Sequence, residues 1–127
     1  IAVFGSAGER DTEKRSMMGR IAARLARLVV VTDEDPRGED RSAILDDIAR
    51  GAVDGGKRRD RDLFVVADRP DAITAAFERA RPGDIVLLAG KGHEQSIIGP
   101  DGPVAYDERT TALAALDALG YRPDPGA

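Results

Sequence analysis

Three short segments of this 127-residue chain hold most of the groups able to do chemistry. In Thr32-Asp33-Glu34-Asp35-Pro36-Arg37, a run of β-branched residues gives way to three acids, a proline and an arginine. Proline fixes its own φ and holds Asp35 extended, so the side chains around it are pre-set. Asp35 suits an ammonium and Arg37, bidentately, a carboxylate; together they match the two ends of an amino acid. A second segment runs from Gly5-Ser6-Ala7-Gly8 through Glu9-Arg10-Asp11 to Lys14 and Arg15. It reads as a glycine turn entering a helix, where backbone N–H groups and the helix dipole favour an anion and the glycines admit a ligand. The third, Gly90-Lys91-Gly92-His93-Glu94, places small residues and mixed charge at the end of an apolar run. Glu94 could meet a substrate amine or cap a backbone N–H, and the lone His93 reads as a hydrogen-bonded structural imidazole rather than a catalytic one. A plainer alternative stands beside each: Asp35 paired with Arg37 or solvent, and charged residues turned to water. Spacing alone leaves these alternatives open.

One motif misleads. Gly51-Ala-Val-Asp-Gly-Gly56-Lys57-Arg58 fits the first seven positions of a phosphate-binding loop, but Arg58 stands where a hydroxyl must reach magnesium, and the stretch follows a helix instead of a strand. The basic run Lys57, Arg58, Arg59 and Arg61 reads as a solvated loop.

The elements that would position these segments alternate in type. Ile1 to Phe4 is a strand. Glu13 to Arg27 carries Met17, Ile21 and Leu25 at helical spacing, with Met18 and Ala22 alongside and Asp11 or Thr12 as cap. Leu28 to Val31 is a strand apolar on both faces. Ser42 caps a helix with Ile44, Leu45, Ile48, Ala49 and Ala52 inward, and Gly51 to Asp62 is a polar surface connection. Leu63 to Ala67 is a third strand. Pro70 opens a helix with Ile73, Ala76, Phe77 and Ala80 inward, and Ile85 to Leu88 is a fourth, buried strand. Ile97-Ile98 and Val104 to Tyr106 flank Gly99-Pro-Asp-Gly102 as a β-hairpin. A helix from Asp107 to Leu119 presents Leu113, Leu116 and Leu119 and stops at Gly120; the tail 121–127 is expected to fray. The pattern predicts an α/β fold, a Rossmann-like, mostly parallel sheet with helices on both faces, plus a C-terminal hairpin and helix. In such sheets ligands bind outside the carboxyl ends of the strands, where all three segments fall.

Length indicates one domain, 1–127, with one core. The formal net charge of −4 gives no basic field for nucleic acid. No cysteine and a single histidine leave neither disulfides nor a zinc cluster. The longest apolar runs are too short to cross a bilayer, and the simplest location is the cytoplasm. The chain opens on Ile1, already inside a strand, as expected of a domain cut from a longer polypeptide.

Taken in order, Val3-Phe4-Gly5…Gly8-Glu9-Arg10-Asp11…Lys14-Arg15…Met18-Gly19, then Asp33-Glu34-Asp35-Pro36-Arg37, then Ala89-Gly90-Lys91-Gly92-His93-Glu94, the sequence resembles the C-terminal domain of Mur ligases. The likeness runs from Ile1 to about Leu119 and is greatest to the MurE type, which adds the third residue of the peptidoglycan stem peptide. It implies a three-domain enzyme with a UDP-sugar domain, a central ATPase with the true phosphate-binding loop, and a Rossmann-like domain closing over both. It further implies activation of a D-glutamyl carboxylate by ATP, with Mg2+ held mainly by the central domain, and attack of a diamino acid's amine on the acyl phosphate. UDP-N-acetylmuramoyl-dipeptide, the diamino acid and ATP are the implied substrates, and this domain alone would be inactive. On the matching positions, Arg10, Arg37, Gly90 and Glu94 would hold the amino acid, while Asp11 and Lys14 would approach ATP. Members that add diaminopimelate read Asp-Asn-Pro-Arg where this chain has Glu34-Asp35-Pro36-Arg37. An acid at 35 favours an ammonium nearby, which raises lysine or ornithine, whereas Arg37 argues for a carboxylate. Other possibilities are a relative such as a folylpolyglutamate synthase, a free-standing small-molecule-binding module, or a purely structural domain.

Overall fold

The computed structural model describes residues 1–122, so the expectation for the tail falls partly on 123–127, outside the described residues. Four parallel strands, β1 (Ala2–Phe4), β2 (Val29–Val31), β3 (Leu63–Val65) and β4 (Leu87–Leu88), form a sheet in the order β3-β2-β1-β4. Val3 pairs with Val30 on one side and Leu88 on the other, and Val30 with Phe64. Because side chains alternate along a strand, Val29 and Val31 face one helical layer and Val30 the other. The first layer is α1 (Glu13–Leu25) and α2 (Arg41–Asp54), meeting Phe4, Val29, Val31 and Leu63. On the opposite face α3 (Arg69–Arg79) buries Ala72 and Ala76 against Val3 and Val30. A hairpin of β5 (Ser96–Gly99) and β6 (Gly102–Ala105) then leads to α4 (Glu108–Ala118), which packs on α3. The fold is the expected α/β one.

Chain order leads outward from β1 to β2 and β3, then returns to β4 on β1's other side. The switch point therefore lies between β1 and β4, where two connections leave the sheet in opposite directions and open a crevice at the strands' carboxyl ends. The loops following β1 and β4 flank it, and the loop following β2 lies next to the first.

Several boundaries differ from expectation for local reasons. The second helix is capped by Asp40, whose side chain accepts from Ser42 N, so the cap precedes Ser42. That helix also runs on to Asp54, and Gly51 lies inside it. A Cβ on Gly51 would collide with the Ser16 carbonyl, and one on Gly19 with that of Ile48. Glycine there lets α1 and α2 approach backbone to backbone, and it places the first half of the phosphate-loop lookalike, 51–54, inside the helix.

The same seam rotates α1. It buries Arg15, Gly19 and Ala23, while Met17, Ile21 and Leu25 remain 52%, 50% and 83% exposed. Strand β4 is an edge and not a buried strand, with Ile85 and Leu87 exposed. Ile21, Leu25, Ile85 and Leu87 line an apolar cleft of about 630 Å³ that also takes in Gly5, Glu34, Ala89 and Gly90. Among the described residues, no helix is long and apolar enough to cross a membrane.

Candidate functional site

The first loop is held to the second through backbone and buried charge. Gly8 N donates to Asp35 O at 2.7 Å, and a Cβ on Gly8 would fall on the Pro36 carbonyl. The space these glycines provide is filled by the neighbouring loop rather than by a ligand. Glu9 accepts from Gly38 N, Glu39 accepts from Glu9 N, and the buried Arg15 guanidinium donates to Glu39 at 2.6 and 2.8 Å and to Asp47 at 3.1 Å. Arg15 and Glu39 thus clamp the glycine turn onto the Pro36 turn. The hydrogen bonds from Arg15 and Glu9 hold the Glu39 carboxyl down at about 2.

The second loop is joined to the third by Lys91, whose side chain is wholly buried. Its ammonium lies 2.7 Å from Asp35 Oδ1, 2.9 Å from Glu94 Oε2 and 2.9 Å from Ser96 O. Burial works against an ammonium there, but the two carboxylates outweigh it and raise the Lys91 pKa. Burial alone would lift the Asp35 carboxyl; hydrogen bonds from Lys91 and Ile98 N reverse that and hold it below its ordinary value. The expectation that Asp35 turns to a substrate ammonium needs revising at this point. Its Oδ1 accepts from Lys91 and, at 2.8 Å, from Ile98 N, so the acid faces inward.

Arg37 sits on the tip of the same turn. Its backbone is left-handed, with φ of 56°, its N–H donates to Ile98 O at 2.8 Å, and its buried Nε has no hydrogen-bond partner. A bulky residue at positive φ is strained, and such strain persists only where surroundings enforce it. Here the hairpin enforces it, since Ile98 holds Asp35 through its N–H and Arg37 through its carbonyl.

Glu34 is the residue the sequence did not single out. It is half-buried and lines the cleft, its carboxyl lying against the face of Gly90 where a Cβ would point. Burial raises its pKa, Asp35 and Glu94 add to the rise, and Lys91 and Arg69 oppose it without hydrogen bonding to it. A carboxylate held there at a cost would be relieved by a cation beside it.

Arg69 was also missed. Only 1% exposed, it opens α3 and donates to Asp33 O at 2.9 Å and Ala89 O at 3.0 Å, the carbonyls just before Glu34 and Gly90. Its other donors meet Glu108 at 2.9 and 2.6 Å, and Tyr106 OH donates to Glu108 at 2.5 Å. Burial and this bond push the Tyr106 hydroxyl up to about 12. Helix α4 and the hairpin are thereby fastened to the ends of β2 and β4. A signal existed in Asp68-Arg69-Pro70, an arginine in a first helical turn where an acid is the ordinary choice.

A family model described as "Mur ligase, glutamate ligase domain" matches residues 1–92. The chain belongs to the Mur ligase C-terminal domain family. A UDP-N-acetylmuramyl-tripeptide synthetase of Roseiflexus sp. (strain RS-1) is 59% identical over 121 residues, which are 95% of this chain and 24% of that protein. One from Treponema denticola is 53% identical over 116 residues, 91% of this chain and 21% of that protein. Among solved structures, a UDP-N-acetylmuramoyl-L-alanyl-D-glutamate–2,6-diaminopimelate ligase superposes with a TM-score of 0.83 at 36% identity, covering 95% of this chain and 24% of that one. This chain therefore spans about a quarter of the length of the relatives it matches.

Within this Mur ligase domain the three loops come together as the sequence required. Gly8 touches the Pro36 turn, and Lys91 carries the contact on to Glu94. Glu94 is about half exposed, and Gly90 has φ of 109°. Arg10, Asp11 and Lys14 are exposed on the first loop and the first turn of α1, where Asp11 Oδ1 accepts from Glu13 N at 3.0 Å. The basic loop behaves as a solvated connection, Lys57 donating to Arg27 O and Arg59 pairing with Asp46. Among the described residues, no group of three or more histidines or acids could hold a metal ion.

Proposed function

We propose that this is the amino-acid-binding C-terminal domain of an ATP-dependent ligase that adds a diamino acid to UDP-N-acetylmuramoyl-L-alanyl-D-glutamate in the cytoplasm. The observations that support the reading are the unspent charges at the loop tips: Arg37, held at positive φ with a buried Nε that has no partner, Glu34 lying against Gly90, and a half-exposed Glu94 tied to Lys91. A zwitterion with an additional ammonium satisfies that layout: its carboxylate meets Arg37, helped by Arg10 from the first loop, and its ammonium meets Glu94, Glu34 and the Gly90 carbonyl.

The domain's share of the reaction is positioning. Held by those groups, the second amine directs its lone pair at the acyl phosphate carbon; the amide bond forms, phosphate leaves with the bonding pair, and the amine loses a proton. ATP, its Mg2+ and the acceptor belong in this proposal to the other two domains of the full-length enzyme. Asp11, exposed just before α1, and Lys14, exposed on its first turn, would approach ATP on closure. No metal-dependent step is assigned to this chain's residues.

The likeness to tripeptide synthetases supports this reading over a free-standing binding module. The test is phosphate release by the full-length protein with ATP, the UDP-dipeptide and a panel of lysine, ornithine and diaminopimelate. Release that depends on one of these diamino acids is expected. Equal release with and without every one of them would overturn the proposal.

A further inference from the structure

Lys91 meets three acceptors, Asp35 Oδ1, Glu94 Oε2 and Ser96 O, and an ammonium has three protons to give. Hydrogen bonds to Asp35 and Ser96 and the ion pair with Glu94 turn the buried ammonium to the protein's own groups. What it does is visible in its neighbours. Glu94 is about half exposed and would otherwise sample several rotamers, so fixing it costs side-chain entropy. At i,i+3, Lys91 ties one of its oxygens and leaves the other open. In the opposite direction the same ammonium fixes Asp35, which anchors Ile98 N, and Ile98 O holds Arg37 N.

We propose that Lys91 is a positioning residue that sets, through one buried ammonium, both the Glu94 carboxylate and the Arg37 turn at the spacing of a single bound amino acid. The inference rests on the function proposed above, since it needs Glu94 and Arg37 to be the two grips. Lysine suits the role because its charge is compact and can be shared among three acceptors at once, whereas a planar guanidinium would impose a fork.

The experiment is steady-state kinetics on the full-length ligase bearing Lys91→Met, Glu94→Gln and both. Lys91→Met is expected to raise KM for the diamino acid at least about 10-fold and to leave KM for ATP within about twofold. In the Glu94→Gln background the same change should cost clearly less than it does alone, because only its hold on the Arg37 turn is left to lose. A merely structural lysine would raise both KM values together or act additively with Glu94→Gln, and either result overturns the inference. Should Lys91→Met leave Asp35 too costly to bury and the protein fail to fold, Lys91→Met with Asp35→Asn removes that charge and is read the same way. If Glu94→Gln leaves the amino-acid KM unchanged, the site reading itself fails. If Glu94→Gln raises it and Lys91→Met does not, only the role of Lys91 is lost.

Discussion

Asp35 and Lys91, 56 residues apart in sequence, are joined by a 2.7 Å ion pair with the lysine wholly buried. The pair decides how the acid at 35 acts. It does not present a charge to the crevice; it takes up part of the charge of Lys91, which Glu94 shares.

Asp35→Asn should therefore alter selectivity through Lys91. With one carboxylate fewer on it, the ammonium makes the crevice more positive and more tolerant of a distal carboxylate. The ratio of kcat/KM for diaminopimelate to that for lysine is expected to rise by about 10-fold, measured with the full-length enzyme. An unchanged ratio would show that the charge at 35 is not felt by the substrate.

Arg69→Met should destabilise this chain by about 3–5 kcal/mol, because Glu108 stays buried without its partner and the Asp33 and Ala89 carbonyls lose their donor. Urea unfolding measures it. Arg69→Met combined with Glu108→Leu should recover part of the loss. A double variant no more stable than the single one would place the cost elsewhere.

At the α1–α2 seam, Gly51→Ala forces a Cβ into the Ser16 carbonyl, and overpacking of this kind costs about 1–3 kcal/mol. A drop in the thermal midpoint is expected without any change in the amino-acid KM that exceeds the change in the ATP KM. Gly56→Ala, two residues past the helix in open space, controls for glycine loss, although its φ of 103° adds strain of its own.

Acid should loosen the first two loops. The Glu39 carboxyl has an ordinary pKa of 4.5 and is held at about 2 in the fold, and Asp35 is lowered as well. A lowered folded pKa means that the unfolded chain takes up the proton first, so this stability is fully present above the unfolded value and is lost as pH falls from about 4.5 toward about 2. The urea midpoint should decline across that window, and Glu39→Gln should flatten the decline. An identical slope in the variant would remove Glu39 from the account.

Much of this was legible in the chain. The all-valine strand β2, the Asp-Pro-Arg turn and the Gly-Lys-Gly-His-Glu loop mark strand ends by composition, and alternation of elements forces those ends to one rim. What could not be read were choices made in three dimensions. Periodicity located the stripe Met17, Ile21, Leu25 but not which side of α1 faces its neighbour, which two glycines decide. The spacing of Asp35 and Arg37 suggested a pair of grips, yet Asp35 had a buried lysine available only through the fold. Arg69 and Glu34 acquire meaning from carbonyls and from a glycine that is far away in sequence.

The central claim is that Arg37 grips the carboxylate of the incoming amino acid, and steady-state kinetics of Arg37→Ala in the full-length enzyme tests it most directly. Loss of a charge-assisted contact should raise KM for the diamino acid roughly 10- to 100-fold with KM for ATP nearly constant. Parallel increases in both, or none in either, would contradict it.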